Sequence, residues 1–141
     1  MAGEKFIVAY DGSLGSKKAL MLGANLAQGL SAQLILLRVL DPAKLIDSEL
    51  NDVEKSRVVY KERYENSLSA GKDLVAHLGA AVQTVLLEGN PAETIIDYAD
   101  QEHAKLIIVG TRGLGGFKRL LLGSMAQALV TYSDIPVLVA K

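Results

Sequence analysis

Short continuous apolar runs, each followed by a longer stretch of helical spacing, constrain this chain more than any other feature. The runs are Lys5-Phe6-Ile7-Val8-Ala9-Tyr10, Gln33 to Leu40, Val82 to Leu87, Lys105 to Val109 and Ile135 to Ala140. Each is too short for a helix, and their lack of polar alternation marks strands covered on both faces. Strand and helix alternating in this way require crossover connections, and these are right-handed. The chain is therefore expected to form an α/β doubly wound sheet, five-stranded and mostly parallel, with helices on both faces in a Rossmann-like arrangement.

The stretches between the runs carry helix signals of differing quality. From Leu14 to Leu30, apolar residues recur as Ala19 or Leu20, Gly23, Leu26 or Ala27, and Leu30. Residues 41 to 50, opened by Asp41-Pro42, are expected to be irregular. From Asn51 to Leu78, the positions Val53, Tyr60, Tyr64, Leu68, Gly71, Val75 and Leu78 share one face, Asn51 and Glu54 form a capping box, and Gly79 is a stop. Asn90-Pro91-Ala92-Glu93 places a cap, a first-turn proline and a third-position carboxylate in order, opening a helix that runs to about Glu102. A last helix is expected from Ser124, as N-cap with Gln127, to Thr131. No boundary or repeat divides the chain, so residues 1–141 are expected to form one domain.

A doubly wound sheet of this size takes the order 3-2-1-4-5 or 2-1-3-4-5, and its ligands bind where the order reverses. The order 3-2-1-4-5 is adopted here. It places the crevice between the first and fourth strands, whose ends carry Asp11-Gly12-Ser13 and the glycine-rich segment Gly110-Thr111-Arg112-Gly113-Leu114-Gly115-Gly116. Glycines let a backbone approach a ligand closely, and the helix expected at Ser124 would turn unpaired amides and a positive dipole end toward the same space. Phosphate suits such a place. The segment is not a Walker A loop, because the required glycine spacing and Gly-Lys-Ser or Gly-Lys-Thr ending are absent. Nor is it a dinucleotide fingerprint, because Lys118 stands where the third glycine would be and the segment follows the fourth strand.

Composition narrows the function further. The net charge of −1 comes from 15 basic and 16 acidic residues with no block of either sign, which gives no footprint for nucleic acid or an anionic membrane. Cysteine is absent, which removes thiol catalysis, thiolate metal sites and disulfides and suits a reducing compartment. With no signal-peptide layout and no long apolar stretch, a cytoplasmic location without membrane insertion is expected. His77, His103, Glu88 and Asp97 form no spacing that marks a metal centre or an acid–base pair.

Gly110-x-x-Gly113, nine residues, then Gly123-Ser124, set after the fourth strand of a chain whose first strand ends at Asp11, resembles the ATP-binding branch of the universal stress protein family. The resemblance covers essentially the whole chain. It implies that Asp11 bonds the ribose or adenine side, and that Ala9, Tyr10 and Val39 line the adenine. It further implies that Gly110, Thr111, Arg112, Gly113, Gly115, Gly116, Gly123, Ser124 and Met125 surround the ribose and phosphates. Taken as residues alone, Asp11 could equally cap the first helix or tighten the turn at Gly12, Val39 could be ordinary core, and Arg112 could be a solvated charge. The implied cofactor is ATP, with AMP or ADP as alternatives, and Mg²⁺ would be carried by the phosphates with no protein metal site.

The expected function is a nucleotide-dependent regulator or sensor in a stress response, with at most slow ATP hydrolysis. No base stands in these loops to activate a nucleophile, and no catalytic residue is assigned. Two alternatives stay open: a dimeric interaction module that binds no nucleotide, and a phosphoryl- or nucleotidyl-transfer enzyme on a related fold. Ile135 to Ala140, as an edge strand, would be hazardous bare, and the resembled family commonly dimerises there. The expected partners are an adenine nucleotide, a second copy through that strand, and an unknown client protein.

Overall fold

The computed structural model describes residues 3–46, 52–111 and 122–141. Its elements are β1 (Lys5–Ala9), α1 (Leu14–Gly29), β2 (Gln33–Leu40), α2 (Ala43–Ile46), α3 (Val53–Val75), β3 (Ala81–Glu88), α4 (Pro91–Gln101), β4 (Leu106–Gly110), α5 (Ser124–Tyr132) and β5 (Val137–Ala140). All five strands are parallel and lie in the order β3-β2-β1-β4-β5. The chain thus starts in the middle of its own sheet, builds one half outward, then returns to build the other.

Alternate residues of each strand feed two different cores. Phe6, Val8, Leu34, Leu36 and Ile108 face α1 and α3, where Ala19, Leu20, Ala24, Leu68 and Val75 meet them. Ile7, Ile35, Leu37, Ile107 and Val109 face the opposite layer, against Ile95 and Ala99 of α4 and Ala126 and Leu129 of α5. Both faces being covered explains why Phe6 to Ala9, Leu34 to Leu37 and Leu106 to Val109 run apolar without alternation. Each fully buried Leu or Ile contributes about 1.5–3 kcal/mol by leaving water.

Several boundaries differ from expectation. The 41–50 segment contains the short helix α2, begun by Asp41, whose Oδ1 accepts from the Ala43 amide at 3.0 Å. The cap of α3 is Asp52, whose side chain accepts from the Glu54 and Lys55 amides; Asn51, expected in that role, lies outside the described residues. That helix stops at Val75, and Ala76–Leu78 tighten into a 3₁₀ turn. Gly79 ends the turn in the left-handed region at φ 78°, as its position suggested. Val53 and Leu30, assigned to buried faces, are 46% and 66% exposed, because each sits at a helix end beyond the neighbouring layer. The expected Asn90 cap is present, accepting from the Glu93 amide at 3.1 Å. β5 begins at Val137 instead of Ile135, where Ser133 Oγ bonds both the Ile135 amide and carbonyl and holds a turn.

The beginning of α5 requires a correction that bears on function. Ser124 is the first helical residue, not the cap, and its pairing with Gln127 is not a capping box. Gly123 is the cap: its carbonyl accepts from the Gln127 amide at 2.9 Å, and it offers no side chain to the first-turn amides. The reason is tertiary. The Gly123 amide donates to the Thr111 carbonyl at 2.6 Å, and the Thr111 amide donates to the Ala140 carbonyl at 3.1 Å, which ties the start of α5 to the ends of β4 and β5.

Candidate functional site

Beyond the carboxyl ends of β1 and β4, connections leave the sheet in opposite directions and a cleft opens between them. Part of its lining is apolar and belongs to the core beneath α4 and α5: Ala9, Leu37, Val39, Ile95, Val109 and Ala126. Pro91 and Met125 extend this apolar part. A polar part follows, with Asp11 and Ser13 from the β1–α1 connection, Ser16 from the first turn of α1, Gly110 from the end of β4 and Gly123 from the start of α5. Tyr10, Arg38, Lys44 and Tyr64 form a further wall.

The β1–α1 connection is shaped by its own short side chains. Asp11 Oδ1 accepts from the Ser13 amide at 2.8 Å and tightens the turn around Gly12, which takes φ 81°. Ser13, not Asp11, caps α1, its Oγ accepting from the Ser16 amide at 3.2 Å. Ser16 is buried; its Oγ accepts from the Asp11 amide at 3.3 Å and donates to the Ser13 carbonyl at 3.0 Å. The turn role of Asp11 is thus in place, and its carboxylate stands in the wall of the cleft. Tyr10 lies beneath, buried against Gly71 of α3. Burial raises its phenol above the ordinary range, Arg38 opposes the rise and Asp11 adds to it, so the phenol is neutral near pH 7.

Of the residues singled out from the sequence, Ala9, Tyr10, Asp11, Val39, Gly110, Gly123 and Met125 are brought together around the cleft. Thr111 and Ser124 adjoin that group in sequence without lining it. Arg112, Gly113, Gly115 and Gly116 lie outside the described residues. Gly110 has a reason to be glycine that the sequence did not reveal: a Cβ there would stand 2.6 Å from the backbone carbonyl of Gly15 in α1. β4 and α1 therefore touch main chain to main chain at the edge of the cleft.

Sequence reading missed Arg38, Lys44, Tyr64, Ile95 and Pro91 as lining residues. A signal existed for Arg38, the one charged residue in the otherwise apolar run Leu34 to Leu40. Its guanidinium lies over the Tyr64 ring, 3.6 Å from the centroid, and Nη1 donates to Ser67 Oγ at 2.8 Å. Lys44 had none, since its place depends on α2. Among the described residues, no cluster of three or more His, Cys, Asp or Glu side chains could hold a metal ion. No described helix is long and apolar enough to cross a membrane.

Comparison with known proteins places this architecture. Stress response protein NhaX of Bacillus subtilis is 30% identical over 162 aligned positions, with 98% of each chain covered. Among solved structures, protein MJ0577 of Methanocaldococcus jannaschii superposes with a TM-score of 0.83 at 26% identity, over 100% of this chain and 97% of its own. A universal stress protein of Archaeoglobus fulgidus, solved in complex with dAMP, shares the fold with a TM-score of 0.74 at 22% identity, each chain fully covered. The sequence profile of one family matches residues 3–141, the span that carries every strand of the sheet and both sides of the cleft, and the chain accordingly belongs to the Universal stress protein family.

Proposed function

We propose that this protein binds ATP in the cleft beyond β1 and β4 and acts in the cytoplasm as a nucleotide-dependent regulator in a stress response. The observation that carries this reading is the convergence, at the sheet's reversal point, of an apolar slot with a helix N-terminus whose cap is glycine. Val39, Ile95 and Met125 suit the faces of a base, and the Asp11 carboxylate, which lines the same cleft, suits a ribose hydroxyl as its donor. The first-turn amides of α5 receive no bond from the side chain of their cap and suit phosphate oxygens. A bound dAMP in a relative of the same fold supports an adenine nucleotide as the ligand class. Gly110, Thr111, Gly123 and Ser124 are assigned to the phosphate side, as are Arg112, Gly113, Gly115 and Gly116 on the strength of their spacing alone.

The nucleotide, once bound, supplies phosphate charge that differs between ATP, ADP and AMP and so can be read as a state. The chain's part is to hold the base, orient the sugar over Asp11 and fix the phosphates at the start of α5. Mg²⁺ is assigned to the phosphates and water. Calorimetric titration with Mg-ATP, together with mass spectrometry of the denatured, freshly purified protein, tests the reading. Saturable binding at micromolar concentrations is expected; absence of both co-purified nucleotide and binding up to millimolar ATP would sink it. Turnover above about one per second would instead favour a transfer enzyme.

The dimer is proposed on β5. It is the edge of the sheet beyond β4, and Val137, Leu138 and Val139 are only partly covered, with Val130 and Tyr132 of nearby α5 51% and 74% exposed. A second copy pairing along this edge would satisfy its backbone and cover these side chains. Light scattering at micromolar concentration is expected to give twice the chain mass, and a monomeric mass would count against the pairing.

A further inference from the structure

The wall of the cleft formed by β2, α2 and α3 carries two cations on neutral supports. Arg38 stacks on Tyr64 and donates to Ser67 Oγ, and the Lys44 ammonium lies 3.4 Å from the Tyr64 hydroxyl. Among the described residues, no carboxylate oxygen comes within 4.0 Å of either. Arg38 is only partly exposed and the run Leu34 to Leu40 is otherwise apolar, so its place there costs desolvation that an aliphatic residue would avoid. Its position is specific. A Cβ placed on Gly12 would stand 3.7 Å from Arg38 Nη1 and 3.3 Å from Ser67 Oγ, so the guanidinium rests against the turn that carries Asp11.

The cleft therefore has two positive regions. One is the glycine-capped start of α5, already assigned to the 5′ phosphates; the other lies beside the turn assigned to the sugar. A nucleotide with phosphates only on its 5′ side would leave the second unused. We infer that the cleft takes an adenine nucleotide bearing a second phosphate at the ribose, held by Arg38 and Lys44. This rests on the nucleotide reading above and adds to ATP a second class of adenine nucleotide for the same cleft. The stacking and the Ser67 bond fix the guanidinium before the ligand arrives, so little side-chain freedom is lost on binding. Such a phosphate can belong to a 3′-phosphorylated mononucleotide or to the linkage of a dinucleotide, and the chemistry is shared.

The test compares 5′-AMP, adenosine 3′,5′-bisphosphate and the dinucleotide pApA by calorimetry at fixed ionic strength. Adenosine 3′,5′-bisphosphate is expected to bind about ten-fold or more tighter than 5′-AMP, the size of a charge-assisted bond. A pApA affinity well above that of the bisphosphate would identify the dinucleotide as the better source of the same phosphate. The ratio of the AMP and bisphosphate dissociation constants should fall toward one in Arg38→Gln and by several-fold in Lys44→Ala, which alters an exposed side chain and keeps the fold if Arg38→Gln does not. AMP binding with no preference for either second ligand in the unaltered protein would overturn the inference alone. Failure of all three to bind would overturn the nucleotide reading and this inference with it.

Discussion

Gly110→Ala should lower the unfolding temperature by roughly 10 °C, before any ligand is considered. The added methyl would meet Gly15 C and O at 2.6 Å, and both are backbone atoms of α1. A crowded side chain can rotate away, but main chain must shift with its helix. Overpacking of this kind costs about 1–3 kcal/mol, and the rigid partner puts this site at the upper end. Gly29→Ala is the control, because nothing lies within 4 Å of a Cβ there and it closes α1. That variant should melt at or slightly above the parent temperature, since alanine favours the helix. A Gly110→Ala melt within about 2 °C of the parent would show that β4 and α1 are not in contact as described. The comparison also separates a packing reason for Gly110 from its proposed place beside the nucleotide, because loss of fold appears without ligand and loss of binding does not.

Gly123→Asp is expected to do the opposite: hold or raise stability by a few tenths of a kcal/mol while reducing ATP affinity by about a hundred-fold or more. Gly123 has φ −60° and ψ 152°, an extended conformation open to any residue, so the substitution brings no backbone strain. It keeps the amide that donates to Thr111. The new carboxylate would cap the first-turn amides of α5 itself and set a negative charge where phosphate is proposed to bind. Gly123→Asn would cap similarly without charge, and its smaller loss of affinity measures how much of the effect is competition for the amides. Unchanged ATP binding in Gly123→Asp, with the fold intact, would move the phosphates away from α5.

The sheet was legible in the sequence because a strand buried on both faces cannot hide its composition. Leu34 to Leu37 and Leu106 to Val109 have no polar alternation, and both proved central. Asn90-Pro91-Ala92-Glu93 was legible because all its parts act within one turn. What escaped was decided at a distance. Ser124 fits an N-cap pattern locally, but the bond from Gly123 to Thr111 sets where the helix starts. Arg38 drew no notice because Ser67, which orients it, lies 29 positions away. The contact of Gly110 with Gly15 joins two segments whose proximity appears only once β1 and β4 pair.

The bond between Gly123 and Thr111 has a consequence for how this architecture can diversify. It closes the chain on itself at the base of residues 112–122, and a second bond from Thr111 to Ala140 anchors that base in the sheet. Two ends held in this way tolerate connections of differing length between them: each doubling costs only about 0.6 kcal/mol in closure entropy. Thr111 and Gly123 would hold their places through any such connection, so sequence change between them need not disturb β4, β5 or α5.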